Sequence, residues 1–197
     1  MDVLKLEIAA VAARLIVEEG MEFAAAKRKA VKEMGLPART ALPDSEMVQV
    51  AVEDYIAEFC ADTQPAELNT LRQIALQWMQ RLQSFRPLVG GAVWQGSATR
   101  HSDIYLQLFC DDPKSAEIFL IDHNIRYQPG SVAGLQGDRV DALSIQVMCP
   151  EFQSYVGVHL LIYDVDDLRS LPHHDARGRK ARGDAAALRR LLEDNAA

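Results

Sequence analysis

The chain has 197 residues, 49% hydrophobic and 25% charged, which is the composition of a globular protein with room for one large domain or a helical region plus an α/β domain. A net charge of −7 and a pI near 5.2 exclude general coating of nucleic acid, though not a local basic patch. Cys60, Cys110 and Cys149 lie far apart among apolar neighbours with no C-x-x-C pair, so buried free thiols are expected rather than a zinc or disulfide framework.

The first twenty residues mix acidic and apolar side chains without a basic leader, and no apolar run approaches the roughly 18 residues of a membrane span. A cytoplasmic protein without a membrane partner is expected. Leu4, Ile8, Val11, Leu15 and Ile16 recur at helical spacing over 3–19, with Gly20 as the stop. A second helix over 21–34 buries Phe23, Ala26, Ala30 and Met34; its Lys27, Arg28, Lys29 and Lys32 form a solvated face balanced by nearby glutamates. Asp44 or Ser45 caps a third helix, in which Met47, Val50, Ala51, Tyr55, Ile56 and Phe59 predict a core stripe. These segments carry seven Lys/Arg against twelve Asp/Glu up to residue 63, a mildly acidic helical unit suited to contacting a protein partner.

The break over 61–65 marks a boundary, giving a helical region 1–63 and an α/β domain 64–197. A fourth helix over 66–85 opens the second part, with Leu68, Leu71, Ile74, Ala75, Trp78, Leu82 and Phe85 on its apolar side. Apolar Leu88-Val89 then runs into Gly90-Gly91, a polar loop follows, and Ser102-Asp103 leads into a clean alternation. Asp103, Tyr105, Gln107 and Phe109 share one strand face, and Ile104, Leu106 and Leu108 the other. Pro113 starts a helix to about residue 123, and 130–139 reads as a glycine-rich loop. Two long strands follow, 141–148 and 155–163, joined by a wide hairpin at Pro150-Glu151. The stretch 169–190 holds Arg169, Arg177, Arg179, Lys180, Arg182, Arg189 and Arg190 against Asp175 and Asp184. It reads as a basic connector that could close over a phosphate, before a last helix over 184–193.

The motif from Gly91 to Tyr105 resembles that of the polymerase-beta-like nucleotidyltransferases, which carry G-S-x-x-x-G and then S-D-hydrophobic-D-hydrophobic. Gly91 and Gly96 match the two glycines, Ser102-Asp103-Ile104 matches the start of the second half, and the spacing agrees. The resemblance runs from about Leu88 to Asp164 and implies an α/β fold, a small mixed sheet of nucleotidyltransferase type with flanking helices behind an N-terminal helical region. Two positions depart from the pattern. Ala92 replaces the phosphate-binding serine, and Tyr105 replaces the second metal-binding aspartate.

The family's reaction uses two divalent cations held by three carboxylates, so the resemblance makes Asp103 the candidate catalytic and metal-binding acid. Gly91, Ala92, Gly96, Ser102, Tyr105 and His159 are then the nucleotide-binding candidates. The natural third position falls on strand 156–162, where His159 is a nitrogen donor poorly suited to Mg²⁺. Asp164, or Asp111-Asp112, could supply a relocated acid; His101, Asp103 and His159 have ligand types that suit zinc. The leading expectation is a nucleotidyltransferase-like pseudoenzyme with impaired catalysis, acting as a nucleotide- or phosphate-binding regulatory module. An active Mg²⁺-dependent transferase with relocated acids, and a helical adaptor for a protein partner, stay open beside it. There is no strong nucleic-acid signal.

Overall fold

A computed structural model of the chain describes residues 3–134, 137–175 and 177–194. The protein divides into two compact units, Met1–Leu68 with Ser97–Ser102, and Asn69–Gly96 with Asp103–Ala197.

The first unit is built on α1 (Val3–Glu19), α2 (Phe23–Glu33) and α3 (Ser45–Phe59). Their core is made of Ile8, Ala12, Leu15, Ala26, Ala30, Val48, Val52 and Ile56, with small residues letting the helices approach closely. Asp44 caps α3, its carboxylate accepting from the Met47 N–H at 2.8 Å. The left-handed turn at Gly20 ends α1, and a Cβ there would meet the His101 carbonyl. Of the stripe expected to be core in α3, Ile56 is buried and Met47, Ala51 and Tyr55 pack partly buried against the core, while Val50 and Phe59 are exposed; all but Ile56 line a groove of about 690 Å³ with α1, and Val48 and Val52, outside that stripe, are buried. α3 is apolar over more than half its circumference, so helical spacing alone could not say which stripe faced inward.

α4 (Gln64–Arg81) carries the chain from one unit into the next and ends in a 3₁₀ turn, Gln83–Phe85. The second unit is an α/β layer on a six-stranded mixed sheet in the order β3-β4-β5-β2-β1-β6. The strands are β1 (Leu88–Gly90), β2 (Ile104–Cys110), β3 (Gln128–Ala133), β4 (Arg139–Cys149), β5 (Ser154–Asp164) and β6 (Arg182–Gly183). The flanking helices are α5 (Gly91–Gln95), α6 (Ser115–Asp122) and α7 (Ala185–Asp194). β2 and β5 pair in parallel, with Tyr105 opposite His159, and every other pairing is antiparallel. Ile104, Leu106, Leu108, Val158 and Leu160 are fully buried on one sheet face. On the other face Phe109, Leu161, Tyr163 and Leu171 form a smaller core at one end, leaving the end around Tyr105 and His159 partly open. That asymmetry positions the site.

Three connections differ from expectation. The polar stretch after Gly90 contains helix α5, too short for a periodic signal. The glycine-rich stretch begins inside β3, an edge strand with almost no buried side chain and so no alternation to read. The basic connector contributes β6, which pairs Gly90 with Arg182 and Val89 with Gly183.

Gly183 packs directly against the Trp94 ring, so that an added Cβ would clash with the ring carbons Cζ3 and Cη2. Gly183→Ala should therefore cost about 1–3 kcal/mol, as overpacking does. Gly130→Ala on β3, where nothing lies within 4 Å of the new methyl, should stay within about 0.5 kcal/mol. Urea unfolding of the two variants checks the contrast.

Candidate functional site

β1 and β2 run antiparallel with Leu88 opposite Gln107 and Val89 opposite Leu106, so the end of β1 at Gly90 lies beside the start of β2. Gly91 (φ 61°) opens α5 and Gly96 (φ 97°) ends it, its N–H donating to the Ala92 carbonyl at 2.9 Å. Both occupy left-handed conformations that a side chain would strain. At Gly91 nothing lies within 4 Å of where a methyl would sit, so the backbone angle alone calls for glycine. Ala92 lies within this single turn. Arg72 of α4, 5% exposed, holds the turn in place: Nε donates to the Val93 carbonyl at 3.0 Å and an Nη to that of Trp94 at 3.2 Å. Burial pushes its pKa down, and these two carbonyls near the α5 C-terminus are the partners that offset its desolvation. Trp94 in turn donates from Nε1 to the Lys180 carbonyl at 2.8 Å, tying the turn to the basic segment.

That segment is ordered by its own hydrogen bonds. Asp175 accepts from the backbone N–H groups of Arg177 and Arg179, both at 2.9 Å, and from Arg179 Nε at 3.0 Å. Arg182 donates to the Pro172 carbonyl at 2.7 Å and stands on the same strand pair as Gly90.

The parallel register of β2 and β5 brings Asp103, Tyr105 and His159 together on the partly open face. His159 Nε2 lies 2.9 Å from an Asp103 carboxylate oxygen, and the Gly157 N–H donates to the other at 3.1 Å. The Tyr105 and His159 rings stack with centroids 4.8 Å apart and planes 27° from parallel. On the far side of the imidazole, Ser144 Oγ lies 2.8 Å from Nδ1, carried there by the β4–β5 pairing that sets Ser144 opposite His159. With Asp103 ionised and the ring neutral, Nε2–H donates to the carboxylate and Nδ1 accepts from the serine hydroxyl. The His159 hydrogen bond is the chief reason the Asp103 carboxyl sits below its ordinary pKa, against the opposing effect of burial. Glycine at 157 is what lets the carboxylate approach, since a Cβ there would come within 2.6 Å of it.

Ser102 belongs to the first unit, where its hydroxyl accepts from the Thr99 N–H at 3.0 Å. His101 also belongs to that unit. Asp164 caps the 3₁₀ turn Val165–Arg169 at the carboxyl end of β5, opposite Cys110. Asp111 and Asp112 follow the same end of β2. These acids are therefore separated from Asp103 by the length of β2, about 20 Å at 3.3 Å per residue. Among the described residues no group of three or more His, Cys, Asp and Glu could hold a metal ion. Mg²⁺ takes hard oxygen ligands. The side chains assembled here are one carboxylate, an imidazole and a neutral phenol, so they do not fit it.

Spacing gave no sign of Arg72, Ser144 or Gly157. Each becomes relevant only through a neighbour distant in the chain; Ser144 stood out in sequence only as one of the polar positions, with Gln146, that alternate with Leu143, Ile145 and Val147.

No known family model and no curated protein matches the sequence. Among solved structures the chain is similar to the Cid1 poly(U) polymerase, described with MgGTP bound, at a TM-score of 0.34 and 11% identity. The match covers 56% of this chain and 38% of the polymerase. A likeness of that size carries no argument about the site, and the residues and their geometry carry it instead. No helix among the described residues is long and apolar enough to cross a membrane.

A carboxyl whose folded pKa is depressed adds stability above its unfolded value, and that contribution is lost as pH falls through the folded value. Asp103→Asn should thus lower the melting temperature near neutral pH, with the gap from wild type closing below about pH 4. Thermal unfolding across that range is the check, and a gap unchanged down to pH of about 2 would remove the His159–Asp103 hydrogen bond from the account.

Proposed function

We propose that the chain is a nucleotidyltransferase-type protein without efficient transferase activity, serving as a nucleotide- or phosphate-binding regulatory module. The observation that carries this reading is the commitment of Asp103. The one acid matching the family motif is bound to an imidazole and a backbone N–H, with Tyr105 and His159 standing where the resemblance calls for further carboxylates. Supporting the binding half is Arg182, which β6 sets beside the Gly90-Gly91 turn, since a guanidinium binds phosphate oxygens without needing a metal.

A second reading, a helical adaptor, draws support from the first unit. The groove between α1 and α3 exposes Leu6 (42%), Val50 (43%) and Phe59 (63%), apolar surface of the kind that meets a protein partner.

Thermal unfolding with each common nucleoside triphosphate at millimolar concentration, with and without Mg²⁺ or Mn²⁺, distinguishes the readings. A ligand at about a hundred times its dissociation constant adds roughly 2.7 kcal/mol, a readily measured shift. A shift that needs no metal is the expected result. One that requires both metal and nucleotide, and disappears in Asp103→Ala, would restore the active transferase. The absence of any shift would leave the adaptor.

A further inference from the structure

Ser144, His159 and Asp103 form an unbroken hydrogen-bonded chain across three strands. Ser144 Oγ is 2.8 Å from His159 Nδ1, and His159 Nε2 is 2.9 Å from Asp103 Oδ2. Those are the two distances that an activated serine requires: hydroxyl to base, and base to an orienting acid. The two imidazole nitrogens are exchanged relative to the chymotrypsin arrangement. Proton transfer needs only that one nitrogen face the hydroxyl and the other the carboxylate, and both do. We propose that this chain is a nucleophilic site at which Ser144 takes an acyl group from an activated ester. The proposal stands independently of nucleotide binding.

Several features separate this arrangement from a histidine satisfied inside a core. The relay lies on the partly open face of the sheet, with the Asp103 side chain 45% exposed, that of His159 19% exposed and Ser144 half-buried. The ring is fixed from three directions, by Asp103, by Ser144 and by the stacked Tyr105, so the base is already oriented before a substrate arrives. Side-chain amides are also at hand. Gln128 is paired with Ser144 across β3 and β4, and Gln146 lies two residues along β4, so both share the serine's face and both are exposed. Either can donate to an oxyanion developing above Ser144.

The chemistry balances without an added reagent. Ser144 Oγ bonds to the carbonyl carbon as its proton passes to His159 Nδ1, giving an imidazolium held by Asp103. Collapse breaks the carbon–oxygen bond to the leaving alcohol, which takes the proton from Nδ1 and leaves acyl-Ser144. Water then attacks the acyl carbon while giving a proton to Nδ1. The bond to Oγ breaks, the proton returns to the serine, and a carboxylic acid departs. The sum is ester plus water giving acid plus alcohol. In these steps His159 is a catalytic residue and Asp103 a positioning residue.

The test uses the full chain with two small probes, a fluorophosphonate that arrests at the covalent stage and p-nitrophenyl acetate that turns over. The expected result is a single phosphonyl adduct mapped to Ser144 by peptide mass, accompanied by release of p-nitrophenol. Ser144→Ala should abolish both while remaining folded, with a cooperative unfolding transition. His159→Gly should slow adduct formation by about 10²–10⁴-fold, the range for loss of a general base, with partial recovery in added imidazole. Asp103→Ala should slow it less and recover in added formate, a response that a merely structural carboxylate would not give. The proposal is overturned by a folded wild-type chain that forms no adduct, by an adduct at another residue, or by labelling of Ser144 at an unchanged rate in His159→Gly.

Discussion

In the second unit, the parallel pairing of β2 with β5 is the constraint on which the open face depends. It sets Tyr105 against His159 and brings the loop residue Asp103 level with Gly157 and the imidazole. A shift of one residue would turn His159 into the apolar layer beside Ile104 and Leu106 and send a leucine or valine to the open face. The apolar layer makes such a slip costly, because Val158, Leu160 and Ile162 on one strand and Ile104, Leu106 and Leu108 on the other are all buried by the register observed. Hydrophobic burial on one face thus fixes polar geometry on the other.

The polar face is organised around the needs of one carboxylate. Asp103 lies partly buried and must keep its partners, and it has two of different kinds, a backbone N–H made reachable by glycine and an imidazole braced by a serine. A two-metal site instead gathers several carboxylates whose mutual repulsion the cations offset. Here one carboxylate is held by hydrogen bonds from within the protein. The proposed binding module and the proposed serine relay are compatible on one face, since a carboxylate hydrogen-bonded to an imidazole orients that ring.

The glycine turn shows a second form of support at a distance. Arg72 spends its guanidinium on the carbonyls of α5, and Trp94 spends its indole N–H on the basic segment, which closes the sheet edge by adding β6. The helical unit is built differently, from alanine-rich contacts between α1 and α2 and a third helix that is apolar on two sides. One of those sides is core and the other lines the groove.

The sequence by itself determined the longer helices and strands, the α/β class of the second part, a cap at Asp44 or Ser45 and the alternation that puts Asp103 and Tyr105 on one face, because these depend on near neighbours and on periods of 3.6 or 2. It also marked His159 as the polar residue of an apolar strand. Only the tertiary structure decided what those residues meet. Ser144 reaches His159 through the β4–β5 register, and Gly157 reaches Asp103 across 54 residues of chain. Arg72 reaches α5 across 21 residues, and β3 and β6 exist because neighbouring strands offer them hydrogen bonds rather than because their own side chains alternate. Pairing partners are chosen by the summed burial of whole strands, and no short window of residues contains that sum.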